Sequence, residues 1–338
     1  MYPLSAAILI IGFGLAYFGV EYFRRFSIAR RWLDFPNERS SHITPTPRGA
    51  GIVIVIVCLV GYVLFSVFGQ LTFSWGYFLG ALLIAGVSWV DDLHSLSFIT
   101  RLTIQFVAAI LLLLNGNLDT KDLIEPFSFI GSLFLVIWIV WMVNAYNFMD
   151  GIDGIAGLQG IVAAGSWAFL TFNSEVGLYY YTLILFAAVS AFLVHNWSPA
   201  RVFMGDVGSA FLGFTFAAFP FMVSTHVRFS ALWLPVVAAL ILWPFVFDTV
   251  LTLLRRIIKR DRFWKAHREH LYQKMVKKGY SHSSVSFLYG AFALVTSASA
   301  IGLLSGFTSF LPLVIVLVAV SFAFAIFVFR ISHSVQSS

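Results

Sequence analysis

Eleven apolar runs recur along this 338-residue chain, and most are long enough to cross the roughly 30 Å hydrocarbon core of a bilayer as helices. They lack the strict alternation of apolar and polar residues that a membrane barrel requires. Because 60% of the residues are apolar and only 11% are charged, the chain is too hydrophobic for a soluble globule. The sequence therefore predicts an all-α, polytopic integral membrane protein with a single transmembrane domain over residues 1–338.

Lysine and arginine between the runs predict the orientation. Of the 21 basic residues, only Lys121 and Arg228 lie on one side, which leaves 21 − 2 = 19 on the other. The positive-inside rule then puts the amino terminus outside and the carboxyl terminus in the cytoplasm. The predicted cytoplasmic loops are 24–48, 91–97, 148–154, 196–207 and 255–283. The predicted spans lie near 3–22, 50–68, 75–90, 98–114, 129–147, 155–172, 178–195, 208–224, 231–253, 285–305 and 310–329.

Five aspartates occur at the predicted cytoplasmic ends of three spans. Asp91 and Asp92 end the third span, Asp150 and Asp153 end the fifth, and Asp206 begins the eighth. Each would cost about 2.5–3.5 kcal/mol at the bilayer centre, so we expect them in a cleft lined by protein or water near the interface. Few cations lie close to them in sequence. A bound metal is therefore expected to offset their repulsion, and oxygen ligands suit Mg²⁺ or Mn²⁺ bridging to phosphates.

The segment 144–157 (NAYNFMDGIDGIAG) concentrates polar groups at the end of an apolar run. Asn147, Asp150 and Asp153 are spaced by three residues, so on a helix they share a face of roughly 120°. The glycines of this segment leave room for a ligand to approach the backbone. We expect a ligand here, and Asn147 is a candidate substrate contact. The alternative is a glycine-rich turn with its acids facing water.

Five motifs carry a resemblance to a known family. They are RSSHITPTPRGAG (39–51), VDDLHS (90–95), NAYNFMDGIDGIAG (144–157), NWSPARVFMGDVGSAFLG (196–213) and HREHLYQKMVKKG (267–279). In this order they resemble the polyprenyl-phosphate N-acetylhexosamine-1-phosphate transferases, which form glycosyltransferase family 4. The chain is more similar to the eleven-span bacterial enzymes that initiate O-antigen or common antigen than to the ten-span peptidoglycan enzyme.

The resemblance implies transfer of a sugar 1-phosphate from a UDP-N-acetylhexosamine to undecaprenyl phosphate, with release of UMP. This would be the first membrane step of O-antigen or another envelope polysaccharide. It further implies Mg²⁺, with Mn²⁺ as a substitute, and a site on the cytoplasmic face of the bacterial inner membrane. No nucleic-acid partner is expected, and a homodimer is left open. The sugar (GlcNAc, GalNAc, QuiNAc or FucNAc type) and a one-step or covalent mechanism are also left open.

The resemblance assigns roles to the acids. Asp206 would be the leading metal ligand, helped by Asp150 and Asp92. Asp91 would be the base that deprotonates the lipid phosphate, and Asp153 joins the catalytic group. These roles suit a reaction in which Mg²⁺ holds two anionic phosphates together.

Other motif positions would contact the substrates. By the resemblance, the Asn196 amide would read the edge of uracil and the Phe203 ring would stack on it. His267, Arg268 and His270 resemble the histidine-rich segment that reaches the sugar phosphate, with His270 in a catalytic role. Tyr272 stands where many relatives carry a further histidine, which puts that histidine's contact in doubt.

Two further pairs are candidate phosphate contacts. Gly205 and Gly208 flank an acid at a helix start, where free backbone N–H groups and the helix dipole favour a phosphate, although a simple helix cap is the alternative. His42 and Arg48 lie in a loop that its prolines stiffen and its glycines bring close to the cleft.

Two other classes of function also fit parts of the pattern. An ion-coupled transporter would account for intramembrane acids, but it predicts internal repeats, and the two halves of the chain show none. A magnesium-dependent intramembrane prenyltransferase would require two separated DxxxD motifs, whereas this chain has DD, DGID and GD. Release of UMP from a UDP-sugar would distinguish the transferase from both.

Overall fold

The computed structural model describes residues 2–36, 44–115, 128–223, 233–261, 268–304 and 309–333. These ranges contain thirteen helices and one small sheet, which confirms the predicted all-α membrane class. The strands are β1 (Leu33–Asp34) and β2 (Thr46–Pro47). The helices are α1 (Tyr2–Arg30), α2 (Gly51–Val67), α3 (Trp75–His94), α4 (Phe98–Leu114), α5 (Ser128–Met149), α6 (Ile155–Thr171), α7 (Val176–Asn196), α8 (Asp206–Met222), α9 (Trp233–Ile241), α10 (Trp243–Ile258), α11 (Leu271–Lys277), α12 (His282–Leu304) and α13 (Phe310–His333).

Six of the described helices, α1, α3, α5, α7, α12 and α13, are long and apolar enough to cross a membrane. The pair α9 and α10 makes a seventh candidate if it counts as one broken span. Helices α2, α4, α6 and α8 are apolar but have only 17 residues each. A 17-residue helix is about 25 Å long, which is at the lower limit for a span. Ten of the eleven predicted runs each coincide with one helix, and the ninth coincides with α9 and α10. The count of eleven spans and their orientation stay predictions.

Two predicted helix ends were too early. The first span was predicted to end at residue 22, but α1 continues to Arg30. Glu21 forms ion pairs with Arg24 and Arg25 at 2.8 and 2.7 Å, and such pairs one turn apart support a helix. Likewise α3 continues to His94, so the acids predicted for the 91–97 loop lie in its last turn.

The ninth predicted span is broken. Helices α9 and α10 meet at Leu242 with a bend of 84°. Pro244 lies in the first turn of α10, where backbone N–H groups have no acceptor within the helix. Proline, which has no N–H, therefore costs no hydrogen bond at this position. Beyond the bend, α10 buries Asp248 and Thr252 and exposes apolar side chains such as Ile258. The prediction of one continuous span over 231–253 was therefore wrong.

Helix α8 is the centre of the bundle. All its residues from Val207 to Met222 are buried, and it packs against α2, α3 and α5. Small residues let the neighbouring backbones approach, and a Cβ at Gly213 would lie only 2.7 Å from the Met142 carbonyl of α5. Because α8 begins at Asp206, that carboxylate stands at one end of the most buried helix.

A short extended segment brings Arg48 to the same end of α8. Strand β2 pairs with β1, and Arg48 then forms a bridge with Phe203. Phe203 donates its N–H to the Pro47 carbonyl at 2.8 Å, and the Gly51 N–H donates to Met204 at 2.8 Å. The loop before α2 is thereby aligned with the chain that enters α8.

Candidate active site

Asp206 lies at the centre of a polar cluster. Its Oδ1 is 2.5 Å from Arg48 Nη2, and its Oδ2 is 3.4 Å from Arg101 Nη1 and 3.2 Å from Asn147 Nδ2. Ser209 Oγ donates to Asn147 Oδ1 at 2.6 Å, which fixes the direction of the amide. Three segments that are distant in sequence therefore hold one carboxylate.

Asp92 caps the first turn of α8. Its Oδ1 accepts the N–H of Asp206 and its Oδ2 accepts the N–H of Val207, both at 3.0 Å, while Arg48 lies 3.1 Å away. The N–H groups predicted to bind a phosphate at this helix start are thus already satisfied. The chain can bring the two groups together because Gly205 has a φ of +76°, and a Cβ there would lie 2.7 Å from Asp92 Oδ2.

Gly208 has a packing role. A Cβ added at Gly208 would lie 2.7 Å from the Cα of Gly51, and one added at Gly51 would collide with Gly208. The starts of α2 and α8 therefore cross with almost no space between their backbones. The phosphate contact predicted for Gly205 and Gly208 is replaced by close packing and by the Asp92 cap.

Asp91 is held in an ion pair. Its Oδ2 is 2.7 Å from Arg101 Nη1, and its Oδ1 accepts the N–H of Leu96 at 2.6 Å. Arg101 is thus shared between Asp91 and Asp206. Both oxygens of the Asp91 carboxylate are therefore engaged, while burial raises the pKa of Asp91. The general-base role of Asp91 stays a prediction.

Asp150 is the least satisfied acid of the cluster. It follows α5, is partly buried, and its carboxylate accepts no hydrogen bond from the part of the chain that the structure describes. Burial raises the pKa of Asp150 to about 7, and the negative charge of Asp206 adds to this, whereas Arg48 opposes it. Among the described residues, no cation forms an ion pair with Asp150.

The charges of the cluster suit a divalent ion. When all four acids are ionised, Asp91, Asp92, Asp150 and Asp206 contribute four negative charges and Arg48 and Arg101 two positive ones, which leaves −4 + 2 = −2. Within the described ranges, no three His, Cys, Asp or Glu side chains could hold a metal by themselves. Mg²⁺ does not need three, because it is commonly bound by one or two carboxylates together with substrate phosphates. Asp206 and Asp150 fit this role, whereas Asp92 is occupied by its backbone donors.

Asp153 lies outside the cluster of ion-paired acids. Its Oδ2 is 3.3 Å from His282 Nδ1 and accepts the N–H of Ala200 at 3.2 Å. Burial acts to raise the pKa of Asp153, but the hydrogen bond and charge of His282 outweigh it, and the net pKa is lowered. Asp153 therefore ties the loop after α5 to α12 and to residue 200, and the structure gives no support to its predicted catalytic role.

Asn196 and Phe203 differ in accessibility. Asn196 is 3% exposed, accepts the Gly154 N–H at 2.9 Å and donates to the Val202 carbonyl at 2.9 Å. Both ends of its amide are used to join two loops, and the prediction that Asn196 reads uracil stays a prediction. Phe203 is partly exposed beside Arg48, and its nucleotide contact stays a prediction.

His270 is anchored by an acid that the sequence analysis missed. His270 caps α11, and its Nδ1 is 3.1 Å from Oδ1 of the fully buried Asp248. Asp248 also accepts the N–H of Leu271 at 2.9 Å and the hydroxyl of Tyr289 at 2.6 Å. Because a lone acid in an apolar run is costly unless it is paired, Asp248 was a signal that could have been used. His270 is 4% exposed, so its direct catalytic role is not supported.

Tyr272 joins α11 to the loop that carries Asp150. Its hydroxyl donates to the Phe148 carbonyl at 3.1 Å, and a Cβ at Gly151 would collide with it. At the same segment, the Arg268 carbonyl accepts Lys277 Nζ at 2.9 Å. The predicted contacts of His42 and His267 lie outside the described residues.

Together the fold and site define a polytopic helical membrane protein with an acidic, arginine-braced cluster at one end of its central helix. Residues 74–224 match the family model described as glycosyl transferase family 4. An undecaprenyl-phosphate alpha-N-acetylglucosaminyl 1-phosphate transferase of Pasteurella multocida is 31% identical over 306 residues, which are 87% of this chain and 83% of the relative.

Two further relatives have slightly lower sequence identity. A probable undecaprenyl-phosphate N-acetylglucosaminyl 1-phosphate transferase of Bacillus subtilis is 27% identical over 88% of this chain and 84% of its own length. A decaprenyl-phosphate N-acetylglucosaminephosphotransferase of Mycobacterium tuberculosis is 29% identical over 74% of this chain and 70% of its own. The chain belongs to glycosyl transferase family 4, the polyprenyl-phosphate N-acetylhexosamine-1-phosphate transferases, as its motifs predicted.

Proposed function

We propose that this protein transfers N-acetylhexosamine 1-phosphate from a UDP-sugar to undecaprenyl phosphate, releasing UMP and leaving undecaprenyl-pyrophosphate-sugar. The observation that carries the proposal is the net charge of −2 around Asp206 and Asp150, at the open end of the central helix. The names of the bacterial relatives support a polyprenyl phosphate acceptor. Because these names also specify N-acetylglucosamine, UDP-GlcNAc is the first donor to test.

Asp206 and Asp150 are the residues that would hold Mg²⁺, with Mn²⁺ as a substitute. When bound, the ion would polarise the donor pyrophosphate and neutralise its charge. Arg48 and Arg101 keep Asp206 oriented, and their side chains are 40% and 33% exposed. Their remaining N–H groups can therefore meet incoming phosphates, which a guanidinium binds through two parallel hydrogen bonds.

Asp91 acts on the acceptor through Arg101 in this proposal. The second pKa of a phosphate monoester lies near 6, so much of the lipid phosphate is already dianionic at neutral pH. A strong base is then not needed. Through the ion pair at 2.7 Å, Asp91 instead orients the Arg101 side chain. Asp92 acts indirectly, because it accepts two N–H groups of the first turn of α8 and so holds Asp206 in position.

The active end of the bundle would face the cytoplasm of a bacterium across its inner membrane. This follows from the nineteen to two distribution of lysine and arginine and from the cytosolic origin of UDP-sugars. The product would start an envelope polysaccharide such as O-antigen.

Purified protein in detergent micelles, incubated with undecaprenyl phosphate, UDP-GlcNAc and Mg²⁺, tests the proposal by the release of UMP. We expect turnover by the wild type and by the control Asp261→Asn, which removes an exposed acid. We expect none with excess EDTA and a loss of at least a hundredfold for Asp206→Asn. The proposal fails if a panel of UDP-N-acetylhexosamines gives no lipid-dependent UMP, or if Asp206→Asn turns over like the wild type.

A further inference from the structure

Two cations meet at one aromatic ring on the same side of the bundle as the acids. The guanidinium carbon of Arg255, in the last turn of α10, lies 4.3 Å from the centroid of the Phe329 ring in α13. Lys274 Nζ, on α11, lies 4.7 Å from the same centroid. Each cation is attracted by the ring, but two like charges at one ring repel one another.

This cluster has too little negative charge. In the described ranges, no carboxylate forms an ion pair with Arg255, Lys259 or Lys274. The nearby Glu269 pairs with Arg256 at 2.8 Å, and the oxygens of Asp248 are taken by the donors around α11.

Lys274 carries a buried ammonium group without a hydrogen-bond acceptor in the described structure. Burial and the charge of Arg255 lower the pKa of Lys274 to about 8. An ammonium group has three donors, and leaving them buried and unpaired is unfavourable. An anion placed between Lys274 and Arg255 would satisfy both side chains.

Exposed apolar side chains surround the cluster, as expected for a site that binds a lipid. Beyond the 84° bend, α10 exposes Leu254, Ile257 and Ile258 by 51%, 52% and 80%, next to Arg255. On α13, Ile326 and Phe327 are 52% and 50% exposed, next to Phe329. A molecule with an anionic head and apolar chains matches cations bordered by exposed apolar helix faces.

We infer that Arg255 and Lys274 bind the phosphate of an anionic membrane phospholipid, whose acyl chains run along the exposed faces of α10 and α13. This site is separate from the Asp206 cluster and does not rest on the proposed transferase reaction. It has a consequence for that cluster, because Tyr272 of α11 bonds to the Phe148 carbonyl, two residues before Asp150. A lipid that holds α11 in place also steadies the loop of Asp150.

Lipid titration of the purified full-length protein in detergent, without UDP-sugar, tests the inference. We expect phosphatidylglycerol to raise the melting temperature of the wild type more than phosphatidylcholine with the same acyl chains. Lys274→Gln and Arg255→Gln should each weaken the apparent affinity for phosphatidylglycerol at least fivefold. Lys277→Gln is the matched control: it removes the same charge from an exposed position of α11 and should behave like the wild type.

Each other outcome counts against the inference. Equal stabilisation of the wild type and both variants by phosphatidylglycerol would show that the cluster does not bind it. If inorganic phosphate reproduces the effect, the site takes a free anion instead of a lipid. If undecaprenyl phosphate displaces phosphatidylglycerol one for one, the cluster belongs to the acceptor site. Should Lys274→Gln fail to fold, Arg255→Gln carries the same comparison, and Lys274→Arg should keep the binding because it keeps the charge.

Discussion

Replacing Asp150 by asparagine should make this protein more stable and at the same time inactive. The pKa of Asp150 rises from 3.8 to about 7 because of burial and the nearby charge of Asp206. Each pKa unit corresponds to about 1.4 kcal/mol, so the ionised carboxylate costs the folded state up to about 4 kcal/mol above pH 7. Because the folded pKa lies above the unfolded one, this cost falls to about 1.7 kcal/mol at pH 5 and is lost below about pH 3.

Asp150→Asn removes the charge and keeps the shape of the side chain. In excess EDTA, we expect the variant to melt above the wild type by several degrees at pH 8 and by much less at pH 5. Added Mg²⁺ should raise the melting temperature of the wild type and narrow the gap at pH 8, because binding to the folded state alone stabilises it. The release of UMP should fall by at least a hundredfold in the variant.

Thermal melts of the wild type, Asp150→Asn and the exposed-acid control Asp261→Asn at the two pH values would measure this. The reasoning is refuted if Asp150→Asn is no more stable than the wild type at pH 8 in EDTA. It is also refuted if the difference between the two proteins does not depend on pH. Asp261→Asn should follow the wild type throughout.

Three other substitutions separate the support of the site from its chemistry. Asp92→Asn leaves one N–H of the first turn of α8 without an acceptor, at a cost of about 1–3 kcal/mol, so the melting temperature should fall while the Mg²⁺ concentration for half-maximal turnover stays unchanged. A tenfold rise in the Mg²⁺ concentration for half-maximal turnover would instead show that Asp92 is a metal ligand. Asp248→Asn should destabilise the protein by about 2–5 kcal/mol, since it leaves buried donors around α11 unsatisfied. An unchanged melting temperature would contradict the role of Asp248 in anchoring α11. Tyr272→Phe removes one hydrogen bond to the Phe148 carbonyl, so turnover should fall several-fold and the free energy of unfolding should fall by about 1 kcal/mol. Unchanged kinetics would show that α11 does not support the Asp150 loop.

The sequence determined the class of fold and the helical segments, and it predicted which acids would lie close together. Apolar runs of spanning length leave no alternative to helices, because lipid offers no partners to backbone N–H and C=O groups. Acids at the ends of three runs were expected to meet in a polar cleft. Asp206 and Asp92 do form ion pairs with Arg48, and Asp150 lies close enough for Asp206 and Arg48 to shift its pKa. These features depend on the local composition of the chain, which the sequence states directly.

Only the tertiary structure decided what each polar group in that network is used for. Asp92 became a helix cap, the Asn196 amide joined two loops, and Asp248 emerged as the anchor of His270. Each of these roles is set by hydrogen bonds of about 3 Å between segments far apart in sequence. Hydropathy and motif spacing carry no information about such distances. The role of each side chain is therefore fixed only when α8 packs between its neighbours and its first turn donates to Asp92.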